Sequence, residues 1–149
     1  MSEQLTLAEL EGAAGLELEP SDWVTIEQRA IEQFADATGD RQWIHVDPEK
    51  AAKGPFGTTV AHGYLSLSLL PGLLGTMLSV TDASMGVNYG IEKVRFTAPV
   101  PSGSRVRLKG KITSAEKRGE GVLYHVAAEV EIDGSDKPAM VGEVVYLVF

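Results

Sequence analysis

Along Val122, Tyr124, Val126, Ala128, Val130 and Ile132, apolar residues occupy every second position, the period of a strand that buries one face. Val87 to Thr97, Arg105 to Ser114 and Ala139 to Phe149 also have strand composition. Turn-forming segments separate these runs: Pro99-Val-Pro-Ser-Gly103, Gly119-Glu-Gly121 and Asp133-Gly134. The second half of the chain therefore predicts an antiparallel meander.

The first half follows a helical period instead. Ile26, Ala30, Ile31, Phe34 and Thr38 lie along one face, Thr25 and Gln28 form a T-x-x-Q capping-box pattern, and Gly39 supplies a left-handed stop. Asp47-Pro48 marks a second, short helix through Ala52, with Asp as N-cap and Pro at the first helical position. Upstream, residues 5 to 13 suit a short amphipathic helix and Ser21 to Thr25 a first strand. Gly54 to Thr59, punctuated by Gly and Pro, reads as a loop. The apolar run Val60 to Val80 predicts a core helix that begins near Ala61 to Tyr64 and kinks at Pro71, where proline removes a backbone bond and crowds the preceding turn. Small residues on several of its sides suit a helix enclosed by sheet. The expected fold is α+β, one long helix against one curved antiparallel sheet, in a single domain spanning residues 1–149.

Composition narrows the function classes. A chain of 149 residues buries roughly two-thirds of the surface its unfolded form exposes, so one core suffices without covalent staples. The absence of cysteine excludes disulfides, thiolate metal sites and a cysteine nucleophile, and it permits a reducing cytosol. A net charge of -8 opposes binding to nucleic acid or an anionic membrane, either of which needs a basic footprint. The apolar run carries a histidine, three glycines and a proline, which suits a core helix better than a membrane span. The opening Met-Ser-Glu-Gln-Leu lacks the charged start and apolar core of a signal peptide, so the expected location is cytoplasmic.

Two of the three histidines fall close to a candidate carboxylate. Asp40 sits just past the expected helix stop, His45 is five residues further on, and His62-Gly63 begins the apolar helix. A carboxylate and an imidazole that converge on one water can share its proton chemistry. Spacing alone favours the plainer reading, with Asp40 as a turn cap and His45 as a polar residue before a helix. Gly63 has two readings as well: close helix-to-sheet packing, or a backbone N–H at a helix start that a carbonyl oxygen can approach. His62 reads as a structural or gating residue. His125 falls on the strand face opposite the apolar row, with Glu129 and Glu131, and is expected to be exposed and uninvolved.

The segments Phe34-Ala-Asp-Ala-Thr-Gly-Asp40-Arg-Gln-Trp-Ile-His45-Val-Asp-Pro-Glu-Lys-Ala51, Phe56-Gly-Thr-Thr-Val-Ala-His62-Gly63, Asn88-Tyr-Gly and Val94-Arg-Phe-Thr-Ala-Pro-Val-Pro resemble the MaoC-like dehydratase family. That family includes the (R)-specific enoyl-CoA hydratases, also called hydratase 2. The resemblance implies a hot-dog fold, an antiparallel sheet wrapped around a central helix, with members pairing as homodimers whose sites lie near the shared interface. It implies an acyl-CoA thioester as partner, with water added to a trans-2-enoyl-CoA to give an (R)-3-hydroxyacyl-CoA. No cofactor beyond the substrate's own coenzyme A and no metal are implied. Asp40 and His45 would hold the attacking water, Asp40 as base and His45 as acid, and the Gly63 N–H would bind the thioester carbonyl. Gln42, Trp43, His62, Asn88 and Arg95 are candidates for contacts around the substrate. Arg41, Lys93 and Arg105 join Arg95 as candidates for the coenzyme A phosphates.

The chain departs from the commonest motif in one place: Gln42-Trp43 stands where many hydratases have Asn-Pro. A subset of MaoC-like proteins, some labelled nodulation protein N-like, is similar here. Trp43 would then form a wall of the acyl pocket or shorten it, and Pro71 stands where some hydratases carry a pocket serine. A hot-dog acyl-CoA thioesterase is the first rival, because one fold hosts several chemistries. It is disfavoured by the lack of any Asp or Glu from Ala61 to Val80. A noncatalytic acyl-CoA or acyl-carrier binding module is the second, and the intact Asp40, His45 and Gly63 oppose it.

Overall fold

A computed structural model describes residues 2–149. In chain order its elements are β1 (Glu3–Leu5), α1 (Leu7–Glu11), β2 (Val24–Thr25), α2 (Gln28–Thr38), α3 (Trp43–Val46), α4 (Pro48–Ala52), α5 (Gly63–Ser68), α6 (Leu70–Met77), β3 (Leu78–Val80), β4 (Gly86–Phe96), β5 (Arg105–Arg118), β6 (Gly121–Ile132) and β7 (Met140–Val148). Five strands form one antiparallel sheet in the order β2-β5-β6-β7-β4. Strands β5, β6 and β7 are the expected meander. The first long strand, β4, is instead added beyond β7, so the β4–β5 connection crosses the sheet. Hydrophobic alternation specifies which face of a strand is buried, but not which neighbour it pairs with.

The predicted inner row of β6 is buried from Val122 to Ile132, and Leu65, Leu70, Leu73, Leu74 and Met77 pack into the same core. At roughly 25 cal/mol per Å² of apolar surface, each fully buried Leu or Met contributes about 2 kcal/mol, which holds the helix in the concavity of the sheet. The sheet curved around this helix is a hot-dog fold. Gly110 of β5 makes room for it: an added Cβ would stand 3.1 Å from Val126 Cγ1 and 3.8 Å from Met77 Cε.

The helix itself is in two pieces. Pro71 has no N–H for the Leu67 carbonyl, so α5 closes through the Leu69 N–H to Leu65 and Ser66, and α6 starts anew with Pro71 in its first turn. The apolar run does not stay helical to Val80. Leu78–Val80 turns into β3 and pairs in parallel with β1, a partner that sequence periodicity cannot announce.

Two expected boundaries shift for related reasons. Residues 5 to 13 divide into the strand β1 and the helix α1, separated by Thr6, whose side chain accepts from Glu9 N–H while Glu9 accepts from Thr6 N–H. The T-x-x-Q pattern at Thr25 and Gln28 does not cap α2. Thr25 is taken into β2, opposite Arg105, and Glu27 stands at the N-cap. The C-terminal stop forms as expected, with Gly39 at φ 79° and its N–H bonded to the Ala35 carbonyl. Asp47 caps α4 through a bond from the Lys50 N–H.

The edge strand β4 carries two irregularities of register, between Asn88 and Gly90 and between Glu92 and Arg95. At the second, Lys93 adopts φ 52°, a left-handed conformation rare for a residue with a Cβ. Val94 then lies over Gly142 of β7, where a Cβ would sit 2.7 Å from Val94 Cγ2. Phe96, at the end of β4, is thereby delivered to the start of α5.

Candidate active site

Gly39 turns the chain at the end of α2 and leaves Asp40 exposed on the next residue. Three residues of loop then lead into α3, a single turn that holds His45 in its interior, so the histidine lies within a helical turn instead of ahead of one. His45 is 7% exposed. Its Nδ1 lies 2.6 Å from the Val60 carbonyl oxygen. A carbonyl only accepts, so Nδ1 carries the proton and Nε2 is the nitrogen left for chemistry.

His62, the residue before α5, is 3% exposed. Its ring lies flat against His45, with centroids 3.8 Å apart and planes 22° from parallel, and Phe34 packs on it at a 56° tilt with centroids 4.9 Å apart. His62 Nε2 donates to the backbone carbonyl of Asp40 at 2.8 Å. An oxygen of the Asp40 carboxylate and one ring nitrogen from each histidine all lie within 4.8 Å of one another. One water making two hydrogen bonds of about 2.8 Å each spans such a distance at a near-tetrahedral angle. A metal ion is poorly served by the same trio, because a coordinated ion lies in the plane of its imidazole and these two planes are stacked.

Beside His45 a cavity of about 280 Å³ opens between α5 and the end of β4. Its lining is apolar, with Val60, Phe96 and Val100 among the walls, except for His45, Thr97, the Gly63 backbone and Ser66. Gly63 N–H is the first of α5 and has no acceptor among the described residues. Gly63 also has a packing role: a Cβ there would meet the Phe96 ring at 2.8 Å. Both sequence readings of this glycine thus have a physical counterpart.

The remaining sequence candidates are dispersed. Trp43 packs on Gly54, where a Cβ would meet its ring at 2.9 Å, and Lys50 Nζ sits 4.8 Å over that ring. It is absent from the walls of the His45 cavity. Gln42 is exposed at the start of α3, and its carbonyl accepts from His45 N–H. Asn88 lines a second cavity of about 260 Å³ with Leu67, Ser68, Pro71 and Tyr146. Burial pushes the Tyr146 phenol up to about 12 and its cross-strand neighbour Tyr124 higher still, so both are neutral hydroxyls at working pH. Arg95 is exposed and donates to the Val94 carbonyl. Arg41 is paired with Asp36, and Arg105 with Asp133. His125 is half-buried, with Nδ1 at 2.5 Å from a Glu143 carboxylate oxygen, a contact that one strand read alone could not reveal. A larger groove of about 620 Å³ lies elsewhere, along Glu17, Glu19, Lys109, Lys111 and Glu129, and contains none of the candidate groups.

Three participants had no signal in the sequence. Gln28 spans the site's supports, donating to the His45 carbonyl and accepting from the Thr59 hydroxyl, both at 2.7 Å. The Val60 carbonyl orients His45, and backbone groups carry no side-chain signature. Ser66 is 2% exposed, and its hydroxyl has no partner among the described residues.

His45 and the start of α5 line one cavity, and the Asp40 carboxylate lies within 4.8 Å of a His45 ring nitrogen, all within a hot-dog fold. Residues 9–133 match the description of the MaoC like domain, and the chain belongs to the MaoC-like dehydratase family. It is 53% identical over 139 residues to 3-hydroxyacyl-thioester dehydratase Z of Mycobacterium tuberculosis, covering 93% of this chain and 92% of that protein. Nodulation protein N of Rhizobium leguminosarum is 44% identical over 142 residues, covering 92% and 87%. Among solved structures, an unliganded R-hydratase from Pseudomonas aeruginosa superposes with a TM-score of 0.77 at 26% identity, covering 99% of this chain and 87% of that one. The chain is therefore a hydro-lyase, an enzyme of the hydratase–dehydratase kind. Among the described residues, no helix is long and apolar enough to cross a membrane.

Proposed function

We propose that this protein is an (R)-specific enoyl-CoA hydratase, adding water to a trans-2-enoyl-CoA to give an (R)-3-hydroxyacyl-CoA and catalysing the reverse dehydration. The observation that carries the proposal is the approach of Asp40 and His45 to within 4.8 Å beside a largely apolar cavity whose polar features include the start of α5. The similarity to a 3-hydroxyacyl-thioester dehydratase and to an R-hydratase supports the substrate class and the (R) hand.

The thioester carbonyl accepts from Gly63 N–H, which places C2 and C3 beside the dyad. Asp40 and His45 hold one water against C3. Asp40 takes a proton from the water as its oxygen bonds to C3, and the electron pair of the double bond moves to the thioester as an enolate. A backbone donor at such an oxygen is worth about 3 kcal/mol, because it is already oriented when the charge develops. Asp40 passes the water's proton to His45 Nε2, and His45 delivers it from Nε2 to C2 as the enolate collapses. This returns Asp40 to the carboxylate and His45 to its Nδ1–H form. All catalytic groups are the chain's own, with coenzyme A entering as part of the substrate.

We further propose a homodimer built through β4. That strand pairs with β7 on one side only, and it exposes Val87, Tyr89 and Ile91, the kind of unprotected apolar edge that single-chain proteins avoid.

Purified protein mixed with crotonyl-CoA tests the reading, with loss of the conjugated enoyl absorbance and release of free thiol followed together. Hydration without thiol release is the expected result. Thiol release without hydration would identify a thioesterase, and neither change would identify a binding module.

A further inference from the structure

The mechanism above leaves one buried histidine unused. His62 cannot reach the substrate through either nitrogen: Nε2 is engaged with the Asp40 carbonyl at 2.8 Å, and Nδ1 is sealed from solvent with no partner. His62 is also missing from the walls of the cavity that His45 and Gly63 line. It nonetheless touches both halves of the dyad. One edge of the ring holds the Asp40 backbone and one face lies against the His45 imidazole.

We infer that His62 is the positioning residue of this site, a clamp that sets Asp40 and His45 relative to each other; the inference rests on the hydratase reading of the same dyad. Asp40 needs such a clamp because it is otherwise weakly held. It is exposed, it lies outside any helix, and its own N–H makes only a 3.3 Å bond to the Thr38 hydroxyl. His45 is anchored from its other side by Val60 and through its carbonyl by Gln28. The two catalytic groups therefore belong to separately supported pieces of chain, and the His62 ring is the contact they share.

The chemistry of the ring suits the task. The acceptor at Nε2 is a carbonyl, so the neutral ring carries its proton on Nε2 and a lone pair on Nδ1. Being rigid, flat and aromatic, the ring packs against both His45 and Phe34 while still offering one N–H at its edge. A merely space-filling residue needs no such donor.

The test separates the two contacts. His62→Gln retains an N–H at the reach of Nε2 and loses the flat ring, His62→Phe retains the ring and loses the donor, and His62→Leu loses both. With crotonyl-CoA, His62→Leu should lower kcat by about a hundredfold, the scale of a 1 Å misplacement of reacting groups, with KM within about threefold of the native value. The Gln and Phe variants should each recover part of that loss. A KM rise that accounts for the effect, or equal activity in all three variants, overturns the inference. A readout on the unmodified protein covers variants that fail to fold: ¹⁵N spectra of the imidazoles should show His62 as the Nε2–H tautomer and His45 as the Nδ1–H tautomer. A His62 proton on Nδ1 overturns the clamp. If native protein does not hydrate crotonyl-CoA the functional reading fails, whereas the tautomers still report on the clamp.

Discussion

Gly63 is where packing and chemistry make opposite claims on one residue, and replacing it with alanine separates them. The added methyl would stand 2.8 Å from two atoms of the Phe96 ring and 3.1 Å from a third, so the ring must withdraw by about half an ångström to reach ordinary contact. Phe96 is 42% exposed, meets Tyr64 edge-on, and ends the edge strand β4, so it has room to move. The fold should therefore lose no more than about 1 kcal/mol from overpacking, offset in part by alanine's better helix propensity. Catalysis should lose far more. The methyl stands beside the α5 N–H that the thioester oxygen must approach, and loss of one such donor costs about 3 kcal/mol, a hundredfold or more in kcat. Crotonyl-CoA hydration and thermal unfolding of Gly63→Ala give the two magnitudes side by side. The double variant Gly63→Ala with Phe96→Ala removes the clash but leaves the methyl. If the double variant regains native activity, the methyl does not hinder the thioester oxygen, and the reasoning that a glycine is needed here for close approach to the N–H is refuted.

Other consequences concern the supports of the site. Gln28→Ala strands the His45 carbonyl and the buried Thr59 hydroxyl, each of which it bonds at 2.7 Å. It should cost about 1–3 kcal/mol of stability in a denaturant titration and should lower kcat as α3 loosens. Ser66→Ala removes a hydroxyl that is buried without a partner, so the melting temperature should hold or rise; a clear fall would mean that a bound water satisfies it. Burial raises the Tyr146 phenol from 10.0 to about 12 and raises Tyr124 as well. A raised acid is stabilised in its neutral form, so this contribution is fully present below pH 10 and is lost as pH climbs through the folded values. Stability should fall from pH 10 upward, with phenolate absorbance rising as the chain unfolds, and replacing both tyrosines with phenylalanine should flatten that fall.

Which features could be read from the sequence follows from how local their causes are. Gly39 as a left-handed stop, Asp47-Pro48 as a helix start and the buried row of β6 each depend on a few neighbouring residues, and each occurs where local chemistry places it. The partner of β4 and the strand fate of Leu78–Val80 depend on pairing across long stretches of chain. Thr25 shows local and distant demands in conflict: its capping pattern was sound, but pairing with Arg105 claimed the residue, and Gln28 was released to join His45 to Thr59. At the site, the residue types and spacing of Asp40 and His45 suggested chemistry. The stack of His62 on His45 arises only when the chain from α3 to α5 folds back on itself. Trp43 had the right position in sequence to line the acyl pocket, yet one residue's rotation on a single helical turn directs it to Gly54, a direction that sequence does not encode locally.

The central claim is that Asp40, acting with His45, moves the proton of the attacking water. It is tested most directly by the rate at which Asp40→Asn hydrates crotonyl-CoA, compared with native protein. Asparagine keeps the size and polarity of an exposed residue, so the fold should persist, while the loss of a general base should cut the rate by at least about a hundredfold. A folded Asp40→Asn protein with near-native turnover would contradict the account.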